Sequence, residues 1–211
     1  MGSCSRHMGS PYVVLVNPMN TSTQSLKSNA NCMDRIAVFC VGNRLMLDEG
    51  IGPAVYDELI AGYDFPGEVE LFDVGCMSMR MIEYVRDFDV LISIDAVDGT
   101  GEKPGTLFKF KPEDMQRAPA IKQSLHELKL VDLFDSAALL GYEALGFGLG
   151  MQIENMSPAD LTIGLTPLVF DALPRLVDMA LAEISKLGVQ IRVKGTNRVV
   201  DSSWQHTLKD T

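Results

Sequence analysis

The sequence predicts an α/β fold, a three-layer α/β/α sandwich around a mostly parallel twisted sheet. Short apolar runs that fit buried strands alternate with segments whose apolar residues recur at helical spacing. This alternation is typical of parallel sheets covered by helices on both faces. No internal repeat or linker interrupts the patterned sequence, residues 33–194. The simplest organisation is therefore a single domain.

The predicted elements follow one another with little irregular chain between them. Apolar runs predict strands at residues 36–41, 69–72, 90–94, 106–110 and 145–153. Helical periodicity predicts helices at residues 51–59, 77–85, 125–140 and 167–187. Pro174 lies inside the last of these, and proline removes a helix hydrogen bond, so we expect a kink or a split there.

The two ends differ from the core. Residues 1–10 resemble an expression tag, and residues 17–32 are rich in Asn, Ser and Thr without periodicity. Residues 195–211 are polar and also lack a pattern. We therefore expect residues 1–32 and 195–211 to be mobile and to lie outside the domain.

Composition and charge narrow the classes of partner. The formal net charge of −10 disfavours both nucleic acid and anionic membranes, which attract clustered Lys and Arg. No apolar run approaches the roughly 20 residues that span a bilayer, and no signal-peptide core is present. The four cysteines form no C-x-x-C pair, which favours free thiols in a reducing cytoplasm over disulfides or a zinc ribbon; they are Cys4, Cys32, Cys40 and Cys76.

The turn between the first strand and the first helix carries acids where phosphate-binding loops offer basic or hydroxyl groups. It contains Asn43, Asp48 and Glu49. The second predicted strand ends at Asp73 and the third at Asp95. Ligands in open α/β sheets bind at the carboxyl ends of the strands, so these carboxylates are predicted to share one edge. This arrangement favours a metal ion or a proton over a nucleotide.

Each of these acids also has a structural interpretation. Asp48 or Glu49 at the start of the following helix would contribute about 0.3–1 kcal/mol through the helix dipole. Asp73 is compatible with a turn residue that binds its own backbone. Asp95 directly follows an apolar strand, where a carboxylate requires a partner.

His126 is the one histidine in the patterned core, since His7 and His206 lie in the two ends. A single histidine is often structural, but a Glu/Asp/His set with open positions suits zinc or nickel. The sequence contains no G-x-S-x-G, H-E-x-x-H or P-loop motif. A thiol nucleophile would be Cys40 or Cys76 with His126, and nothing in the sequence places them together.

Six segments in order make the chain resemble the hydrogenase maturation endopeptidases over residues 34–187. They are residues 41–52, Asp73-Val-Gly75, Ile94-Asp-Ala96, Lys103-Pro-Gly-Thr106, Ser124-Leu-His-Glu-Leu128 and Ile163-Gly-Leu-Thr-Pro167. Two positions depart from the family's pattern, because Val74 and Cys40 stand where it often has glycine. Val74 alters the turn beside Asp73, with consequences for substrate fit at that edge.

The resemblance implies a cytoplasmic endopeptidase that removes the C-terminal extension of the nickel-loaded large-subunit precursor of a [NiFe] hydrogenase. It implies that Glu49, Asp95 and His126 are the metal-binding and catalytic residues. The nickel would arrive within the substrate, and zinc is another ion for the same site. The family is sometimes grouped with aspartic-type endopeptidases, although the paired-Asp motif of pepsin-like enzymes is absent.

Several roles stay open at this stage. Asn43, Asp48 and Asp73 are expected to support the site, Asp48 at the start of the following helix. Gly50 and Gly52 are interpreted as room for the backbone of a protein substrate. A metal-dependent hydrolase of small molecules and a non-catalytic nickel-binding maturation factor remain the alternative functions.

Overall fold

The structure, a computed structural model, describes residues 13–14, 34–75, 81–111, 122–123, 130–142 and 144–204. The predicted ligand His126 lies outside these ranges, as do Cys4, Cys32 and Cys76 and parts of the second and third predicted helices. Within the described ranges, no helix is both long enough and apolar enough to cross a membrane.

In the part of the chain that the structure describes, the strands form a main sheet of seven and a small sheet of three. In chain order they are β1 Val13–Val14, β2 Ile36–Val41, β3 Tyr63–Asp64, β4 Val69–Gly75, β5 Val90–Asp98, β6 Leu107–Phe110, β7 Lys122–Gln123, β8 Leu145–Gln152, β9 Ile191–Val193 and β10 Val199–Val200. The main sheet has the order β1-β6-β8-β5-β2-β4, with β7 paired to β5. Strands β8, β5, β2 and β4 are parallel to one another. Strand β6 runs antiparallel to β8, and β7 runs antiparallel to β5. The predicted mostly parallel sheet is therefore confirmed.

Among the described residues, four α-helices cover this sheet: α1 Ile51–Gly62, α2 Ile82–Asp87, α3 Leu130–Leu139 and α4 Pro167–Ser185. Helices α1 and α4 contribute to one hydrophobic cluster, and α2 and α3 contribute to a second. Alternate side chains of β2 divide between the two clusters, so every residue of this strand is apolar and buried. Helices on both faces of the sheet give the predicted three-layer sandwich.

Two strands extend further than their apolar runs suggested. β5 continues through Asp98, so Asp95 lies inside the strand, and β4 continues to Gly75, so Asp73 also lies inside one. Neighbouring strands cause this extension: β8 pairs with β5 as far as Val97, and β2 pairs with β4 as far as Gly75. The prediction that the two acids stand at strand ends is wrong by a few residues.

The last helix is not split. α4 runs from Pro167 to Ser185 through Pro174. The adjacent residues Leu173, Leu176 and Val177 are buried against the main hydrophobic cluster. We attribute the continuous helix to this packing, which offsets the loss of one backbone hydrogen bond at proline.

Parts of both terminal segments pair with strands of the fold. β10 forms an antiparallel pair with β9, which pairs in turn with β3. Trp204 packs edge-on against Tyr63, with 6.2 Å between the ring centroids. At the other end, β1 pairs in parallel with β6. Tertiary partners order these segments despite their weak sequence patterns.

We expect the C-terminal strand to contribute to stability through one of its two valines. Val200 is 2% exposed, whereas Val199 is 45% exposed. Val200→Ala should lower the free energy of unfolding by about 1.5 kcal/mol or more, because it removes two buried methyl groups and leaves a cavity. Val199→Ala is the matched control and should have a much smaller effect. Chemical denaturation measures both, and equal losses would contradict the packing of this strand.

Candidate functional site

The candidate site lies at the edge of the sheet where β2, β4 and β5 approach their carboxyl ends. The strand register aligns Cys40 of β2 with Asp73 on one side and with Ile94 on the other. Asp95 follows Ile94, and the turn that carries Asp48 and Glu49 follows β2. The expected meeting of these acidic segments at one edge is observed.

Two glycines shape the turn after β2. Gly42 has φ +149°, and a Cβ there would lie 2.1 Å from the Glu49 carbonyl oxygen. A Cβ at Gly52 would lie 2.0 Å from the carbonyl oxygen of Val41. Both positions require glycine because the chain folds closely onto itself. The interpretation of Gly52 as room for a substrate is therefore wrong, since the neighbouring backbone occupies that space.

Glu49 sits in a short 3₁₀ turn, Leu47–Gly50, immediately before α1. Its side chain is buried, with the residue 2% exposed. Its carbonyl oxygen accepts a hydrogen bond from the Asn43 backbone N–H at 3.1 Å. The turn also contacts β5, the strand that carries Asp95. The fold thus brings the elements carrying two of the three predicted ligands together.

Asp48 connects this turn to a distant loop. Its fully buried carboxylate accepts hydrogen bonds from the backbone N–H groups of Glu154 (3.2 Å), Asn155 (2.9 Å) and Thr166 (2.6 Å). It also accepts one from the Thr166 hydroxyl at 3.0 Å. Hydrogen bonds to an ionised acceptor are the strong ones in proteins.

Asp48 lies in the first turn of the 3₁₀ helix that leads directly into α1. α1 has no acidic residue in its first turn, and Asp48 instead binds Thr166, the residue that caps the N-terminus of α4. The Asp48 side chain therefore bonds to the start of a helix 118 residues further along the chain. No local sequence signal reveals such a contact.

Asn43 and Asp73 also shape the site. The Asn43 side-chain oxygen accepts a hydrogen bond from the Leu45 N–H at 3.0 Å, which closes a local turn. Asp73 accepts from the Arg44 guanidinium at 2.8 Å and from the Gly75 N–H at 3.3 Å. The turn interpretation of Asp73 is thus observed, with an ion pair beside it.

Arg44 is a residue that sequence reasoning missed. Its guanidinium bridges Asp73 and Asp57, and these hydrogen bonds raise the pKa of Arg44 further above its ordinary value. The bridge ties the turn to both β4 and α1. Its one signal in the sequence is a basic residue inside an otherwise acidic loop.

Asp95 lies in the middle of the sheet and is 4% exposed. It is aligned with Gly150 of β8, and its Oδ1 accepts a hydrogen bond from the Ala96 N–H at 2.7 Å. A Cβ at Gly150 would lie 2.4 Å from the Val97 side chain, so β8 needs glycine beside this acid. Asp95 is therefore held on a rigid central strand.

The described residues contain two of the three predicted ligands. Within them, no group of three His, Cys, Asp or Glu side chains is arranged to hold a metal. A three-ligand site at Glu49 and Asp95 therefore depends on His126, which is not among them. Gln123, three residues before His126, pairs with Val97 of β5.

The structure disfavours Cys40 as a nucleophile. The residue is fully buried in β2, and burial raises the pKa of its thiol far above the ordinary value. Reactive cysteines require the opposite shift, because the thiolate is the nucleophile. The other candidate thiol, Cys76, lies outside the described ranges.

We expect the Asp48 carboxylate to be needed for stability. Asp48→Asn replaces an acceptor oxygen with an NH₂ group that faces backbone N–H donors. A buried donor left without its acceptor costs about 1–3 kcal/mol, so the free energy of unfolding should fall by at least that amount. Asp57→Asn, at a half-exposed acid, is the control and should change stability much less. Denaturant titration compares the two variants, and equal effects would contradict the structural role of Asp48.

Comparison with known proteins supports one assignment. A family model described as hydrogenase maturation protease matches residues 53–183. The chain is 31% identical over 157 residues to the hydrogenase 2 maturation protease of Escherichia coli K12, covering 74% of this chain and 94% of that protein. It is also 31% identical over 177 residues to the hydrogenase expression/formation protein HupD of Thiocapsa roseopersicina, covering 83% and 79% of the two chains.

A solved structure agrees with these sequence matches. The hydrogenase maturating endopeptidase HybD from E. coli superposes with a TM-score of 0.68 at 30% identity, covering 76% of this chain and 98% of that one. The matched family model extends over more than half of the sequence, from α1 to the end of α4. This chain belongs to the hydrogenase maturation protease family.

Proposed function

We propose that this protein is the endopeptidase that removes the C-terminal extension of a nickel-loaded [NiFe] hydrogenase large-subunit precursor in the cytoplasm. The observation that carries the proposal is the pair Glu49 and Asp95, which are buried acids on two elements in contact at one edge of the sheet. Membership in the family and the names of the relatives support the type of reaction and the kind of substrate.

The metal in this proposal belongs to the substrate. Glu49, Asp95 and His126 offer two carboxylates and one imidazole, and this donor set suits nickel and also accepts zinc. Oxygen and imidazole donors complete the coordination of a nickel that precursor thiolates already hold. The protease thereby recognises a loaded precursor without removing its metal.

Chain connectivity supports His126 as the third ligand. Gln123 is aligned with Val97, two residues after Asp95 in β5. Three residues of extended chain span at most about 11 Å. His126 is therefore within reach of the edge where Asp95 lies.

The burial of the two acids supports a role in binding a cation. Charges in surroundings of low dielectric constant attract each other more strongly than in water. Asp95 lies on a central strand, and the backbone hydrogen bonds of the Glu49 turn fix that residue's position. Preorganised carboxylates of this kind lose little freedom when a cation arrives.

The proposed reaction is hydrolysis by water. The water oxygen bonds to the scissile carbonyl carbon, the C–N bond breaks, and the proton passes to the departing amine. A carboxylate of the site accepts the proton from water, or the nickel polarises the carbonyl. In the first route the enzyme is aspartic-type in the sense that a carboxylate is the base, without the paired aspartates of pepsin-like proteases.

We expect each of the three predicted ligands to be needed for trimming. Glu49→Gln, Asp95→Asn and His126→Gln keep the approximate size of each side chain but remove a carboxylate or the imidazole. The trimming rate should fall about 100-fold or more, the usual effect of losing a positioned acid–base group. Mass spectrometry of the nickel-loaded precursor over time measures the rate.

The matched control for these variants is Glu58→Gln. Glu58 is an exposed acid on α1, close in sequence to Glu49. This variant should trim at the wild-type rate, and circular dichroism should show that all four variants are folded. If all three site variants trim normally, the proposed site is wrong.

Trimming should also depend on nickel in the precursor. Precursor purified from nickel-depleted cells should keep its full mass after incubation with the enzyme, because recognition requires the metal. Reloading that precursor with nickel should restore cleavage. Turnover of small amides without any precursor would instead indicate a small-molecule hydrolase. Nickel-dependent association with no change in mass would indicate a binding factor.

A further inference from the structure

Several exposed apolar side chains are grouped beside the candidate site. Five of the ten large apolar side chains that the described residues expose lie in two short segments around it. They are Leu45, Leu161, Ile163, Leu168 and Phe170. Leu161 and Ile163 are 74% and 79% exposed, and Leu45 is 45% exposed. We name Leu45, Leu161 and Ile163 the apolar rim.

Backbone hydrogen bonds join the apolar rim to the turn that carries Glu49. The Thr162 N–H donates to the Leu45 carbonyl at 2.9 Å, and the Leu47 N–H donates to the Thr162 carbonyl at 2.7 Å. Thr162 and Met46 form a parallel β-bridge. The residues that flank Thr162, Leu161 and Ile163, therefore lie next to the residues that flank Met46. Glu49 lies two residues beyond Leu47.

The rim is also held in place before any partner arrives. Asp48 accepts hydrogen bonds on both sides of the rim's loop, from Glu154 and Asn155 before it and from Thr166 after it. A surface already ordered in the free protein loses little conformational entropy on binding, which favours affinity. Exposed apolar side chains grouped on an ordered surface mark interaction sites.

Charge around the rim specifies the chemistry of the partner. Residues 45–62 and 153–174 contain no Lys or Arg, and the whole chain carries a formal net charge of −10. The flanking Arg44 is paired with Asp57 and Asp73, and Arg175 donates to the Gly105 carbonyl. Glu154, Asp160 and Asp171 are exposed acids in the second segment. The complementary partner is therefore a peptide segment with apolar side chains and a Lys or Arg flank.

We propose that the apolar rim is the docking surface for the precursor segment next to the scissile bond. This segment carries apolar side chains that cover Leu161 and Ile163, with basic residues facing Glu154 and Asp160. The proposal rests on the proposed function, since it takes the hydrogenase precursor as the occupant. The rim's attachment to the Glu49 turn aligns a docked chain with the acids of the site.

The test separates docking from chemistry. Leu161→Ser together with Ile163→Ser should raise the KM for nickel-loaded precursor about 100-fold, because each of the two lost apolar contacts is worth about a factor of ten. The kcat at saturating precursor should stay within about threefold of wild type. Leu139→Ser together with Leu140→Ser is the matched control, with side chains 89% and 61% exposed at the end of α3. The end of α3 leads into the start of β8, at the opposite end of the strands from the candidate site. The KM of this control variant should therefore equal that of wild type.

A second pair of variants tests the charge. Glu154→Lys together with Asp160→Lys should raise KM at low salt, with a difference from wild type that shrinks as salt screens the charges. Unchanged KM in the rim variant, with wild-type enzyme trimming normally, would overturn the docking surface and leave the proposed function intact. Failure of wild-type enzyme to trim would refute the function itself. A third outcome is that the wild-type protein self-associates, the rim variant does not, and the KM is the same for both. That result would assign the rim to contact with a second copy of this chain and would also overturn the proposal.

Discussion

The fully buried carboxylate of Asp48 is the interaction on which the rest of the site depends. It accepts three backbone hydrogen bonds and one hydroxyl hydrogen bond from a loop more than 100 residues away in the chain. A buried charge is tolerated when hydrogen bonds of this kind satisfy it. Through this one group the turn after β2, the loop before α4 and the start of α4 hold a single arrangement. Glu49 and the apolar rim both take their positions from that arrangement.

The acids at this edge of the sheet have different surroundings, although the sequence alone does not distinguish their roles. Asp48 is engaged by backbone donors of the fold, and Asp73 by Arg44 and the Gly75 N–H. Glu49 lies in a turn shaped by Gly42 and Gly52. A side chain at either glycine position would clash with the neighbouring backbone. The glycines and the hydrogen bonds of Asp48 therefore set the backbone position of Glu49.

Much of the fold was predictable because the central strands carry a strong hydrophobic signal. β2 is apolar at every position, as a strand covered on both faces must be. The C-terminal hairpin was not predictable, since Val199 and Val200 form too short a run and are ordered by pairing with β9. The extent of β5 past Asp95 likewise depends on β8 and β7, which lie elsewhere in the chain.

The sequence by itself determined the α/β class, the alternation of elements and the set of acids that meet at one edge of the sheet. These follow from local periodicity and from the rule that parallel strands bring their carboxyl ends together. The tertiary structure decided the partners of each acid, the ordering of the C-terminal strand and the grouping of exposed apolar residues beside Glu49. Those features depend on contacts between residues that are distant in the chain, and local sequence patterns do not predict such contacts.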